Sequence, residues 1–159
     1  MLLLMVGNIQ AEIKQNKPLT PEQEVLLTIQ RTADAFERRV AELFKPYGLS
    51  GTQYNVLRIL RGAGKDGLPC GAIAERMVTR DPDITRLLDR LDKMGYIGRE
   101  RGQKDRRVVY TTITEAGLKL LKQLDKPVQD LGFALVENLN KSQMQELVEL
   151  LDLARSSAG

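Results

Sequence analysis

Residues 68–114 read LPCGAIAERMVTRDPDITRLLDRLDKMGYIGRERGQKDRRVVYTTIT. The pattern predicts a short strand at Leu68, two helices joined by a tight turn, then a basic hairpin. In the first helical segment, Gly71 to Met77, Ala72, Ile73 and Met77 can face a core. Asp81-Pro82 reads as the start of the second helix. Asp81 can accept bonds from free backbone N–H groups, and proline tolerates the first helical position. Behind it Ile84, Leu87, Leu88 and Leu91 recur at i, i+3, i+4 and i+7, so one face is apolar. Asp83, Thr85, Arg86, Asp89, Arg90 and Lys93 occupy the opposite face. Gly95 ends the helix, and Lys93 in its last turn suits the dipole.

Tyr96 to Arg101 and Val108 to Ile113 are β-type runs, separated by Gly102-Gln-Lys-Asp-Arg-Arg107. That is a hairpin whose tip carries Lys104, Asp105, Arg106 and Arg107. A helix–turn–helix sets its second helix into the DNA major groove. A basic hairpin beside it supplies phosphate or minor-groove contacts. The combination reads as a winged helix–turn–helix. Arg86 and Arg90, with Asp83 and Thr85, are the candidate base-reading residues, weighed against simple solvation of a charged face. Asp89 and Asp105 are expected to play a supporting role, pairing with Arg90, Arg106 or Arg107 to fix their direction. Asp83 either meets a cytosine amino group, orients Arg86, or serves the helix end.

These residues resemble the MarR (multiple antibiotic resistance regulator) family of bacterial repressors. The resemblance is carried by Ile84-Thr-Arg-Leu-Leu-Asp-Arg-Leu91, by Lys93-Met-Gly-Tyr-Ile97, and by Asp105-Arg-Arg107 running into Thr112-Ile-Thr-Glu-Ala-Gly117. The wing tip and the leucine-rich helix are fairly specific together and weak apart. Arg80-Asp-Pro-Asp83 departs from the pattern, placing two acids where many relatives have small hydroxyl or basic residues. The resemblance implies a two-fold homodimer with interlocking terminal helices. It also implies a small-molecule pocket between those helices and the reading head. Ligand binding there would change the spacing of the two heads on a pseudo-palindromic operator. A lining of Leu, Val and Phe would suit a small apolar or aromatic effector, and no further cofactor is implied.

The rest of the chain fits a mainly α protein with a small β wing. At 159 residues it suits one domain, with 50–114 the reading lobe and 1–47 and 115–159 the dimerisation helices. The net charge is +3, unevenly placed. Arg58 to Arg107 holds 13 Lys/Arg against 8 Asp/Glu, net +5, leaving −2 elsewhere. A basic middle on slightly acidic ends suits a nucleic-acid module on an assembly scaffold. Thr20-Pro-Glu-Gln23, Ser50-Gly-Thr-Gln53 and Asn140-Lys-Ser-Gln143 are helix openings. The helix after Ser50 is expected to bury Tyr54, Leu57, Ile59 and Leu60. Leu121, Leu124, Val128, Leu131 and Leu135 form a heptad-like seam after a cap at Thr114. Met144, Leu147, Val148, Leu151 and Ala154 give the last helix an apolar face. The terminal helices thus carry more apolar surface than a small reading head can cover, which argues for subunit pairing.

Several classes are disfavoured. There is no histidine, and the one cysteine, Cys70, has no partner for a disulfide. Neither a metal site nor nucleophile–base chemistry has convergent residues, so no enzyme is expected. Met1 to Val6 is apolar but too short to span a bilayer and lacks a signal-peptide start; a cytoplasmic protein with no membrane partner follows. Two alternatives stay open: a winged-helix protein–protein adaptor meeting an acidic partner, and a thiol-based redox regulator acting through Cys70.

Overall fold

Caps and turns fix where the helices begin. The computed structural model describes residues 8–79, 83–102 and 107–157, and its backbone divides into two compact units, Met1–Glu42 and Leu43–Gly159. In the first, α1 (Ile9–Glu12) is capped by Asn8, whose side chain accepts from the Gln10 amide at 2.9 Å. The long α2 (Pro21–Phe44) opens with the expected reciprocal pair. The Thr20 amide donates to Gln23 Oε1 at 3.0 Å, and the Gln23 amide donates to Thr20 Oγ1 at 3.4 Å. Arg31 Nε lies 3.4 Å from Glu12 Oε2 and ties α1 to α2. Of the 24 residues of α2, only Phe44 at its end is buried. Val25, Leu26 and Ile29 are exposed.

The second unit begins where α2 ends. A 3₁₀ turn at Lys45–Tyr47 stops on Gly48, and α3 (Gly51–Ala63) then starts from a complete capping box of Ser50 and Gln53. Phe44 stacks on Tyr54 with ring centroids 4.6 Å apart. Burial pushes the Tyr54 hydroxyl above its ordinary pKa. After β1 (Leu68–Pro69) come α4 (Cys70–Arg76) and α5 (Ile84–Lys93), the two helices of the predicted helix–turn–helix. Strands β2 (Ile97–Arg101) and β3 (Val109–Ile113) form the hairpin, and the sheet order is β1-β3-β2, all antiparallel. A long α6 (Glu115–Leu135) and α7 (Lys141–Ser156) complete the chain.

Leu57, Leu60, Ile73, Leu91, Leu121 and Leu124 are fully buried and form the centre of this unit, with α3 packed against α4, α6 and β3. The expected inner side of α3 needs one correction. Ile59 is only half-buried, whereas Val56 is fully buried. Val56 lies one position before Leu57 and four before Leu60, so the helix turns Val56, Leu57 and Leu60 inward and leaves Ile59 at the margin. Arg61 Nη1 donates to both oxygens of Asp125, at 2.9 and 3.1 Å, and bridges α3 to α6.

Thr114 joins the reading head to α6. Its hydroxyl donates to the Gly95 carbonyl at 2.7 Å and accepts from the Gly117 amide at 3.2 Å. Gly117 sits so close to the loop before β2 that a Cβ there would lie 2.4 Å from the Tyr96 carbonyl oxygen. Gly67, at φ +64°, is pressed in the same way against the Thr111 carbonyl. Beyond Leu124, α6 has no buried residue, and α7 has none at all.

Gly117→Ala should therefore destabilise the protein by about 1–3 kcal/mol in urea unfolding, overpacking outweighing the helix propensity of alanine. Gly62→Ala meets nothing within 4 Å and should be neutral or stabilising by up to about 1 kcal/mol. Equal effects at the two sites would contradict the close approach at Gly117.

Candidate nucleic-acid interface

α5 is a helix with two characters. Leu87, Leu88 and Leu91 are buried, and Ile84 is half-buried. Thr85, Arg86 and Arg90 are exposed on the other side. The helix packs against α4 and β2, which leaves its outer surface open. The turn between α4 and α5 is pinned from α3, where Asn55 Oδ1 accepts from the Val78 amide at 3.0 Å. Val78 itself is 89% exposed.

The start of α5 differs from the sequence expectation. Asp83 is the cap: its Oδ1 accepts from the Arg86 amide at 3.2 Å, and the helix begins at Ile84. Asp81 and Pro82, expected to fill those roles, lie outside the described residues. The other oxygen of Asp83, Oδ2, lies 3.1 Å from Arg86 Nε. One carboxylate therefore both closes the helix end and leans on the arginine beside it. The Arg86 side chain is 80% exposed, so this ion pair contributes direction more than energy.

Arg90 has a second neighbourhood. With Lys93 and Met94 it lines an open cleft of about 500 Å³ against Gly48, Leu49, Ser50 and Gln53 at the start of α3. Arg86 lies one turn closer to the helix start and outside that cleft.

Asp89 does not pair as expected. Its partner is Arg99 of β2, whose Nη1 donates to Asp89 Oδ1 at 2.7 Å, rather than Arg90 on its own helix. Adjacent residues on a helix point about 100° apart, whereas the strand alongside brings Arg99 directly to the carboxylate. Arg99 was not among the residues the sequence suggested. Its signal is the alternation along β2: Ile97 is buried, and residue 99 shares that covered face, opposite the 2% exposed Thr111.

At the wing, the Gly102 amide donates to the Val108 carbonyl at 2.8 Å and closes the hairpin below its tip. Arg107 is exposed just inside that closure. Lys104, Asp105 and Arg106 lie outside the described residues. Cys70 is the half-buried first residue of α4. Among the described residues, no cluster of His, Cys, Asp or Glu could hold a metal ion, and no helix is long and apolar enough to cross a membrane.

Comparison with known proteins agrees with this geometry. Residues 39–124 match the family model of the transcriptional regulator SarA/Rot. The chain is 32% identical over 114 residues to the HTH-type transcriptional regulator PapX of Escherichia coli, covering 70% of each protein. Among solved structures it is similar to a MarR transcription factor from Planctomyces limnophilus, with 39% identity and a TM-score of 0.67, covering 86% of this chain and 99% of that one. It also shares its fold with MepR of S. aureus, solved as a complex with DNA, at 20% identity and a TM-score of 0.77, covering 88% and 99% of the two chains.

The double duty of Asp83 can be separated by substitution. Asp83→Ala removes the cap and should cost about 0.5–2 kcal/mol of stability, whereas Asp83→Asn keeps a capping oxygen and should cost a few tenths. Thermal or urea unfolding of the two variants measures this. Equal losses would mean that the ion pair with Arg86, not the cap, is what holds the helix start.

Proposed function

Because the chain belongs to the MarR family of winged helix–turn–helix transcriptional regulators, we propose that it is a repressor that binds a pseudo-palindromic operator as a homodimer. The observation that carries this reading is α5 itself, a helix buried along its leucines and presenting Arg86 and Arg90 outward. Set into the major groove, Arg86 reaches a guanine edge, the commonest specific pairing for arginine. Asp83 steadies that arginine, and Thr85 lies beside it. Arg107, with Lys104 and Arg106, is assigned to backbone or minor groove, and Asp105 to holding one of those arginines in position.

The terminal helices support pairing with a second copy. The last helix exposes Leu147, Val148, Leu150, Leu151 and Leu153, and α6 exposes Phe133. Soluble monomers rarely leave large contiguous apolar patches uncovered. Two reading heads joined through these helices address successive major grooves about 34 Å apart. A small apolar or aromatic effector, released or bound between head and scaffold, would set that spacing. The protein would work in the cytoplasm, where the operator is, and no catalytic step is assigned to it.

Fluorescence anisotropy with duplex DNA over a range of salt tests the reading. Binding should fall steeply as salt rises, and Arg107→Ala should reduce the slope of log affinity against log salt by about 1. Weak binding insensitive to salt would favour a protein–protein adaptor instead. Replacing Leu147 and Leu151 together by Asp should give monomer or aggregate by light scattering. A soluble dimer retained in that variant would remove α7 from the interface.

A further inference from the structure

Arg99 joins a strand of the hairpin to the helix α5. It lies on the face of β2 that packs against α5, opposite buried Thr111, with only 25% of its side chain exposed. Nη1 donates to Asp89 Oδ1 at 2.7 Å, and Nη2 reaches the Thr85 carbonyl at 3.5 Å. Thr85 and Asp89 are four residues apart, so one guanidinium spans a full turn of the helix. Its Nε is buried, with no acceptor among the described residues.

That arrangement is costly as mere packing. A leucine could fill the gap without leaving a buried N–H unpaired. What the arginine adds is direction, because its planar fork engages partners only in a fixed geometry. Asp89 also lies three residues after Arg86, close enough along the helix to capture it. Held by Arg99, the carboxylate points toward the wing, and Arg86 is left to Asp83 and to the outer surface.

We propose that Arg99 is the positioning residue of the reading helix: it fixes the rotation of α5 against the wing and keeps Asp89 from Arg86. Arg99 thereby sets which sequence is read without touching DNA. The proposal rests on the DNA-binding reading above and adds to it a determinant of specificity outside the contact surface.

The test compares a duplex selected from a random pool by the wild type with a scrambled duplex of equal length. Arg99→Gln should lower the ratio of the two affinities about tenfold, the size of one misplaced base contact. Binding to the scrambled duplex and its salt slope should not change. Asp89→Asn should lower the ratio as well, although it removes a negative charge beside a polyanion. The double variant should lose no more than either single one. Arg99→Lys, which keeps the charge but not the fork, should restore part of the ratio. An equal loss on both duplexes with the slope reduced by about 1 would make Arg99 a phosphate contact and overturn the proposal. An unchanged ratio would overturn it too.

Amide hydrogen exchange on the DNA-free proteins is the independent arm. Arg99→Gln should speed exchange in α5 and β2 and leave α3 and α6 as they were. Acceleration spread evenly over all four elements would mean general destabilisation and overturn the assignment. If the wild type selects no sequence, the regulator reading fails, and the exchange result alone decides whether Arg99 positions α5.

Discussion

The reading head depends on burying one side of a ten-residue helix. A helix as short as Ile84–Lys93 is marginal alone in water, because nucleation outweighs the few bonds it gains. Leu87, Leu88 and Leu91 change that balance, each contributing about 1.5–3 kcal/mol when taken from water. Their burial fixes which side of the helix is left for Thr85, Arg86 and Arg90. The cap at Asp83 and the turn at Gly95, with φ +76°, then set its two ends. Function follows from a packing constraint: the outward face is whatever the leucines do not occupy.

Much of this was legible in the chain itself. The 3.6-residue spacing of the leucines, the β-type runs on either side of Gly102–Arg107 and the S-x-x-Q and N-x-x-Q openings point to the helix–turn–helix, the hairpin and the helix starts. Local chemistry was legible because it depends on neighbours in sequence. The start of α5 was misplaced because two aspartates with proline between them offer two capping registers, and spacing alone does not choose. Val56 was missed because a valine one position from the leucine stripe reads as marginal until the helix is rotated against α4 and α6.

The ion pairs were least legible, since they join residues that only tertiary structure brings together. Asp89 to Arg99 spans ten positions and Arg61 to Asp125 spans sixty-four. Charge patterning in sequence points to the arginines already singled out for DNA, Arg90 and those of the wing tip, and not to a strand residue. The strand supplied a better one. The same distinction separates α2 and α7 from the head: their stripes of Val25, Ile29, Leu147 and Leu151 are plain in sequence, yet they stay exposed within one chain. A stripe alone does not name its cover; a second copy of this chain is the occupant proposed above.

In the proposed complex α5 enters the major groove in two symmetric places. Dimethyl sulfate interference on a selected operator tests it directly, because methylation of guanine N7 alters the major-groove edge and methylation of adenine N3 the minor-groove edge. Guanine methylation should block binding in two half-sites centred about 10 base pairs apart, or a multiple of that. Binding blocked only by adenine methylation, or by guanines in one half-site alone, would contradict it.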